Sequence, residues 1–139
     1  MGIVSRPRYC RGSMSKPRLK VAVVDDEQSI CVALQRLIRS ANMEVKTYPS
    51  GGEFLDSLEN AWPDCVVLDL HMPKLTGFDV QARLAQIGAR VPVIVVTGHD
   101  TPESRARALA NGAAAYLLKP VDDQMLLDAI SAAIPGETA

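Results

Sequence analysis

Polar residues that can bind metals and phosphate stand where apolar runs of this chain stop. Asp25 and Asp26 end one run, Asp69 ends a second, and Thr97 and Lys119 end two more. If these runs are parallel strands, their carboxyl ends share one edge of a sheet, which is where open α/β sheets bind ligands. Three carboxylates, a hydroxyl and an ammonium at that edge predict a site for a divalent metal and a phosphoryl group.

The adjacent carboxylates of Asp25 and Asp26 repel each other unless a cation neutralises them. Mg²⁺ can do so, because it binds one or two carboxylates together with water and phosphate oxygens. The alternative is that Asp25, Asp26 and Glu27 are simply acids at the start of a helix, where negative charge is favourable. The polar residues at the other strand ends favour the metal site.

Asp69 is the single carboxylate at the end of its apolar run, and a carboxylate nucleophile can accept a phosphoryl group covalently. Thr97 offers a hydroxyl to a phosphoryl oxygen, and Gly98 beside it leaves space for the approach. Lys119 supplies a point charge for phosphate. Each residue also has a simpler explanation as a turn or strand-end residue. That explanation would have to hold at four aligned strand ends, so we favour the phosphoryl site.

The elements that position these residues read as five strand-then-helix units. This alternation predicts a parallel sheet with helices on its faces. Strands one, three and four are apolar throughout, as expected for central strands, whereas strand two alternates and suits an edge. The pattern is consistent with an α/β fold of the flavodoxin-like (βα)5 type, a doubly wound parallel sheet with strand order 2-1-3-4-5. The predicted strands are residues 19–24, 44–48, 65–68, 93–96 and 115–118.

The predicted helices follow from apolar residues spaced three and four positions apart. The third helix is expected to begin near Gly77, and the fourth near Pro102, a residue that suits a first turn. Asn111 and Gly112 are typical of a left-handed helix stop, and the fifth helix is expected to end at residues 135–136. The residues expected to face the core are Ile30, Leu34, Leu37, Ile38, Phe54, Leu55, Leu58, Val80, Leu84, Ile87, Leu126, Ala129, Ile130, Ala133 and Ile134.

Composition indicates one domain with a full hydrophobic core, since the chain has 139 residues and 47% of them are hydrophobic. The apolar runs are too short for a membrane span, and the start of the chain lacks the apolar stretch of a signal peptide. Cys10, Cys31 and Cys65 are few and far apart, which argues against a disulfide framework and a zinc site. We therefore expect a reducing, cytoplasmic environment.

Charge is unevenly distributed along the chain. Residues 1–20 hold six basic and no acidic residues, whereas residues 21–139 hold nine basic and sixteen acidic residues, a net charge of −7. We interpret residues 1–18 as a disordered basic leader or a remnant of an expression vector, and an arm that binds nucleic acid or an anionic surface is the alternative. The acidic body argues against direct binding of nucleic acid by the domain itself.

Four strings of the sequence together resemble the receiver domain of two-component response regulators. They are Val24-Asp-Asp-Glu27, Leu68-Asp-Leu-His-Met-Pro73 with Gly77 following, Val96-Thr-Gly98, and Gly112-Ala-Ala-Ala-Tyr-Leu-Leu-Lys-Pro120. The resemblance covers residues 19–134, which we expect to form the receiver domain. Residues 135–139 are then a C-terminal tail or the stub of a linker.

The resemblance implies that Asp69 is the phospho-acceptor and takes its phosphoryl group from a sensor histidine kinase or a phosphotransfer protein. Asp25, Asp26 and Asp69 are expected to hold Mg²⁺ with the backbone carbonyl of His71. Lys119 is expected to contact the phosphoryl group and to precede a cis peptide bond to Pro120. The module would catalyse only its own phosphorylation and autodephosphorylation, so it is not expected to be an enzyme.

The resemblance also implies a switch. Thr97 swings toward the phosphoryl group and Tyr116 moves inward, which alters the face made by helix four, strand five and helix five. That face would control a downstream protein or a fused output domain. Arg105 and Arg107 lie on helix four, where they suit either a partner or plain solvation, so a phosphorylation-dependent homodimer is left open. His71 and His99, with Gly98, are expected to modulate the lifetime of the phosphoryl group.

Three other functions fit these residues less well. A phosphatase with an aspartyl nucleophile usually carries Asp-x-Asp after its first strand, whereas here Asp25 and Asp26 are adjacent and Asp69 stands alone. A flavin- or dinucleotide-binding domain needs a glycine-rich loop after strand one, which the sequence lacks. A degenerate receiver that acts as a phosphorylation-independent interaction module would not need the complete set of polar residues.

Overall fold

The computed structural model of the chain describes residues 18–134. The strands are β1 (Lys20–Val24), β2 (Glu44–Tyr48), β3 (Cys65–Leu68), β4 (Val93–Thr97) and β5 (Ala115–Leu118). The helices are α1 (Gln28–Ser40), α2 (Gly51–Ser57), α3 (Gly77–Gln86), α4 (Pro102–Ala110) and α5 (Asp123–Ala133). None of these helices is long and apolar enough to cross a lipid bilayer. The predicted tail, and the predicted leader apart from Arg18, lie outside the described residues.

The five strands form one parallel sheet in the order β2-β1-β3-β4-β5. β1 pairs with β2 on one side and with β3 on the other, so the two strands that end at the predicted acids are neighbours. The predicted flavodoxin-like doubly wound fold is confirmed. Two boundaries differ by one residue: β1 begins at Lys20 rather than Leu19, and β4 continues to Thr97 because Thr97 pairs with Leu118 of β5.

The sheet separates two apolar cores, because successive residues of a strand point to opposite faces. The α1/α5 core is built from Val21, Val23, Val67, Ile94, Val96, Cys31, Leu34, Ile38, Leu126 and Ile130, among others. The α2–α4 core is built from Ala22, Val24, Val66, Leu68, Val95, Phe54, Val80, Leu84, Ala108 and Tyr116, among others. Burial on both faces explains why β1, β3 and β4 are apolar, apart from Lys20 at the start of β1 and Thr97 at the end of β4.

The helices begin at the edge of the sheet where the strands end, and most of them begin with a capping side chain. Ser50, Thr76, Thr101 and Asp122 each accept a hydrogen bond from a backbone N–H of the first helical turn. Such a bond satisfies a donor that would otherwise be unpaired. α1 differs: Glu27 occupies its N-cap position, and the Glu27 side chain makes no capping hydrogen bond. The Glu27 carboxylate is therefore left for another partner.

One core prediction is wrong. Ile87 is 49% exposed, because α3 ends at Gln86 and leaves Ile87 at the end of the helix. Gly88 follows with a φ of +74° and turns the chain toward β4. The end of α4 agrees with the prediction, since Gly112 has a φ of +97°. The predicted end of the fifth helix, at residues 135–136, lies outside the described residues, and α5 is described to Ala133.

Candidate functional site

Three carboxylates meet at the carboxyl ends of β1 and β3. One oxygen atom from each of Asp25, Asp26 and Asp69 lies within 4.8 Å of the others. Asp25 and Asp69 are buried, with 4% and 5% of their surfaces exposed, whereas Asp26 is exposed to solvent. The cluster exists because β1 and β3 are adjacent parallel strands, which end side by side.

Backbone contacts on two sides hold Asp69 in place. Its N–H donates a 3.0 Å hydrogen bond to the Val24 carbonyl, so β3 stays alongside β1 to its end. On the other side, a Cβ at Gly77 would lie 2.5 Å from the Asp69 carbonyl oxygen and 2.8 Å from Leu70 Cα. The Gly77 N–H donates to the Leu70 carbonyl at 3.0 Å. Glycine at the first position of α3 thus lets the helix start directly against the loop that follows Asp69.

The Lys119 ammonium lies among the carboxylates. Its Nζ is 2.9 Å from Asp25 Oδ2, 3.0 Å from Glu27 Oε1 and 3.5 Å from Asp69 Oδ1. The Lys119 N–H donates to the Thr97 carbonyl at 2.8 Å, which ties the lysine to the end of β4. The Lys119–Pro120 peptide bond is cis. Lys119 directly follows β5, an edge strand of the sheet, and its side chain extends to the acids at the ends of β1 and β3. It lies 92 residues after Glu27 in the sequence.

The pKa values reflect more negative charge than one ammonium balances. Burial and then the charge of Asp25 raise the pKa of Asp69 from 3.8 to about 6, although Lys119 lowers it in part. Burial disfavours the charged form of Lys119, but hydrogen bonds to Asp25 and Glu27 outweigh it and raise the pKa of Lys119. The site thus keeps Lys119 charged and leaves Asp69 short of neutralising charge.

These residues fit a divalent cation. Mg²⁺ selects oxygen ligands and keeps several waters, and the cluster supplies three carboxylates of which one, Asp26, is open to solvent. The raised pKa of Asp69 indicates a carboxylate that a further positive charge would stabilise.

Thr97 lies at the end of β4 and is fully buried. Its Oγ1 accepts a hydrogen bond from the His99 N–H at 3.1 Å and lies 3.4 Å from the His99 carbonyl, to which it can donate. The hydroxyl is thus engaged within its own loop. A Cβ at Gly98 would lie 3.6 Å from Lys119 Cδ, an ordinary contact distance, so the loop passes close to the lysine stem.

Tyr116 is buried in the α2–α4 core, and its hydroxyl donates a 3.0 Å hydrogen bond to Asp100 Oδ1. The Arg105 guanidinium carbon lies 5.1 Å from the centre of the Tyr116 ring. Burial and then the hydrogen bond to Asp100 raise the pKa of Tyr116. Tyr116 and Thr97 therefore both bond to the loop between β4 and α4.

His71 and His99 meet edge to face, with ring centroids 5.1 Å apart and an interplanar angle of 73°. Both side chains are exposed. The sequence places them two residues beyond Asp69 and Thr97, and the structure brings the two rings into contact with each other.

Sequence reasoning missed two residues of this site. The sequence presents Glu27 as an acid at a helix start and as the last residue of the string Val24–Glu27, and gives it no contact with Lys119, although its position directly after Asp25 and Asp26 is a usable signal. Asp100 was not considered, and no spacing pattern marks it as the partner of Tyr116. The predicted residues Asp25, Asp26, Asp69, Thr97 and Lys119 all lie at the same edge of the sheet.

Comparisons with known proteins agree with this geometry. The profile of the response regulator receiver domain matches residues 21–131. The response regulator protein TmoT of Ectopseudomonas mendocina is 33% identical over 124 residues, which cover 89% of this chain and 56% of that protein. Nodulation protein W of Bradyrhizobium diazoefficiens is 41% identical over 113 residues, or 81% of this chain and 50% of that protein. The chain thus spans about half the length of these curated relatives.

A solved structure gives the same picture. The response regulator receiver protein from Burkholderia phymatum superposes with a TM-score of 0.76 and is 46% identical, covering 84% of this chain and 95% of that one. Sequence profile, relatives and fold therefore agree on a signalling module rather than a conventional enzyme. The chain belongs to the family of response regulator receiver domains of two-component systems.

Proposed function

We propose that Asp69 accepts a phosphoryl group from a phosphohistidine on a sensor histidine kinase or a phosphotransfer protein. The observation that carries this proposal is the Lys119 ammonium, which lies 2.9 Å from Asp25 and 3.5 Å from Asp69 beside the carboxylate cluster. A cation at this position can attract a phosphoryl group that would otherwise be repelled by the acids.

The transfer needs positioning and charge neutralisation more than covalent assistance. A carboxylate oxygen of Asp69 forms a bond to phosphorus, and the bond between phosphorus and the imidazole nitrogen of the donor breaks. The electron pair of that bond stays on the imidazole, which takes up a proton. Lys119 orients the phosphoryl oxygens, and burial of Asp69 limits access of water to the new acyl phosphate.

The residues that would hold Mg²⁺ are Asp25, Asp26 and Asp69, with the backbone carbonyl of His71. Receiver domains generally bind Mg²⁺ at such an acidic pocket. Bound there, the ion would offset the negative charge of the carboxylates and of the incoming phosphoryl group. Asp26 would be the ligand open to solvent, since Asp25 and Asp69 are buried.

The proposed switch uses Thr97 and Tyr116. A phosphoryl group on Asp69 adds strong acceptor oxygens near the end of β4. The Thr97 hydroxyl would leave His99 to donate to one of them, and the loop from Thr97 to Asp100 would move with it. Because the Tyr116 hydroxyl is hydrogen-bonded to Asp100, the tyrosine would shift with the loop and change the face made by α4, β5 and α5.

The face made by α4, β5 and α5 would control a downstream protein or a fused output domain. Phosphoryl transfer and this control would take place in the cytoplasm. The acidic domain itself would not bind nucleic acid.

We also propose that His71 and His99, with Gly98, modulate how long the phosphoryl group survives. Equal rates of phosphoryl loss from His71→Ala, His99→Ala and the unaltered chain would overturn this modulating role.

Intact-mass measurement tests the phospho-acceptor directly. The chain is incubated with Mg²⁺ and acetyl phosphate, and Asp69→Asn is treated in parallel. We expect the mass of one phosphoryl group to be gained by the unaltered chain, and to be absent from Asp69→Asn and from a sample with EDTA. A gain that persists in Asp69→Asn would place the acceptor elsewhere.

No gain in mass would leave a receiver that is selective for its protein donor or one that acts without phosphate. A beryllofluoride titration in the presence of Mg²⁺ separates the two cases. Binding of this phosphoryl mimic supports donor selectivity. Its failure to bind would support the phosphorylation-independent interaction module.

A further inference from the structure

Lys119 has one carboxylate partner outside the acidic cluster. Its Nζ lies 3.0 Å from Glu27 Oε1, about as close as Asp25 Oδ2 and closer than Asp69 Oδ1 at 3.5 Å. The oxygen atoms that come within 4.8 Å of one another belong to Asp25, Asp26 and Asp69. Glu27 therefore binds the lysine without belonging to the set that fits a cation.

The local structure explains why Glu27 is available. Residue 27 is the N-cap of α1, but its carboxylate does not cap the helix. The Glu27 N–H instead donates to Asp25 Oδ1 at 2.8 Å, while the other oxygen of Asp25 contacts Lys119. The Glu27 side chain is 59% exposed and that of Lys119 is 14% exposed, so the contact lies at the solvent side of the lysine.

We propose that Glu27 competes with the phosphoryl group for Lys119. Glu27 is then a positioning residue, which acts through Lys119 and lowers the affinity of the site for the phosphoryl group. This inference rests on the proposed function. With a cation bound, Asp25 and Asp69 would serve as its ligands, and Glu27, which is not in that set, would remain a partner of Lys119. To reach a phosphoryl oxygen on Asp69, Lys119 must then give up or share its bond to Glu27.

The contact itself is tested first, in metal-free protein and without any phosphoryl group. Urea unfolding is measured for the unaltered chain, Glu27→Gln, Lys119→Gln and the double variant. We expect Glu27→Gln to lower the unfolding midpoint when Lys119 is present and not to lower it in the Lys119→Gln background. Equal lowering in both backgrounds would show that Glu27 does not act through Lys119, which would overturn the inference.

The competition is tested by titrating beryllofluoride into the protein at saturating Mg²⁺ and measuring the affinity by calorimetry. We expect Glu27→Gln to bind the mimic about two- to fivefold more tightly, the change that the loss of an exposed ion pair produces. Glu27→Asp keeps the charge but shortens the side chain by one methylene, so it should also bind more tightly. Unchanged or weaker binding by Glu27→Gln would overturn the inference.

Glu103→Gln is the matched control for loss of one negative charge. Glu103 lies in the first turn of α4, is exposed, and forms no ion pair within residues 18–134. The affinity of Glu103→Gln for beryllofluoride should equal that of the unaltered chain. A gain in affinity as large as that of Glu27→Gln would indicate a general charge effect and overturn the inference. If the unaltered chain does not bind the mimic, the proposed function fails and the inference with it. Equal binding by all variants would defeat the inference alone.

Discussion

Tyr116 donates a hydrogen bond of 3.0 Å to Asp100, and this bond ties β5 to the loop that leads from β4 into α4. The same loop holds the Thr97 hydroxyl through the 3.1 Å hydrogen bond from the His99 N–H. The two hydroxyls of the proposed switch are therefore connected through one short segment. Displacement of either hydroxyl would therefore move that segment or break the hydrogen bond to it.

The bond between Tyr116 and Asp100 should be measurable as a coupling. We expect Tyr116→Phe and Asp100→Ala each to lower the free energy of unfolding by about 1 kcal/mol, the usual net value of a hydrogen bond. Because both remove the same bond, the double variant should lose little more than either single variant. Urea unfolding of the four proteins gives the coupling, and fully additive losses would contradict it.

Gly77 and Gly52 form a matched pair for the role of glycine near the site. Gly77→Ala should destabilise the domain by about 1–3 kcal/mol, because the new Cβ would meet backbone atoms of Asp69 and Leu70 that can yield only if α3 shifts. Gly52→Ala should be neutral or stabilise by up to about 1 kcal/mol, since it lies in α2 with nothing within 4 Å of its Cβ. Thermal unfolding compares the two.

The same two variants also test whether the start of α3 positions Asp69, the proposed phospho-acceptor. Gly77→Ala should slow phosphorylation by acetyl phosphate, because the shift of α3 moves the Asp69 carbonyl that the new Cβ would contact. Gly52→Ala should react at the rate of the unaltered chain. A Gly77→Ala protein that is both stable and fully reactive would mean that α3 can move without disturbing Asp69.

The raised pKa of Asp69 should make the stability of the metal-free domain depend on pH. The pKa is about 6 in the folded protein and 3.8 for an ordinary aspartate, so the native state binds more protons between those values. The contribution of Asp69 to stability is therefore expected to fall as pH rises from about 4 to 6 and to level off above, by about 3 kcal/mol. Asp69→Asn removes this group and should be more stable at pH 7.

Urea unfolding in EDTA at several pH values checks this expectation. The stability advantage of Asp69→Asn should be full at pH 7 and should fade as pH falls to about 3, where Asp69 is protonated in both states. An advantage that does not change with pH would indicate that the asparagine acts through packing rather than through charge.

Mg²⁺ should stabilise the unaltered chain in proportion to its occupancy of the acidic cluster. At ten times the dissociation constant the expected gain is about 1.4 kcal/mol. Asp26→Asn should reduce the gain, because Asp26 offers the solvent-facing ligand. Asp56→Asn, an exposed acid on α2, is the control and should leave the gain intact. Unfolding midpoints across a Mg²⁺ titration measure this, and an equal gain in both variants would argue against the cluster.

The positions of the strand ends could be predicted because they depend on backbone geometry alone. Asp25, Asp69, Thr97 and Lys119 each follow or end an apolar run, and parallel pairing brings such residues to one edge whatever their side chains do. The edge position of β2 was likewise readable from its alternation. The start of β1 and the end of β4 each differ by one residue from the prediction, because pairing with a neighbouring strand decides where a strand begins and ends.

Side-chain partners could not be predicted in the same way. The contact between Glu27 and Lys119 joins residues far apart in sequence, and it forms because the Glu27 carboxylate leaves its helix uncapped. Asp100 meets Tyr116 through the path of a loop, which no periodicity describes. Ile87 satisfies the helical spacing but lies past the last turn of α3, so the spacing alone placed it in the core.

The division of the interior by the sheet bears on how a partner would sense the switch. Tyr116 packs in the α2–α4 core, whereas its neighbours Ala115 and Leu117 pack against the α1/α5 core. A shift of Tyr116 therefore reaches α4 directly and reaches α5 only through the backbone of β5. The signal that leaves the domain would then be a change in the spacing between two helices, with α4 displaced more than α5, rather than a rearrangement of the whole surface.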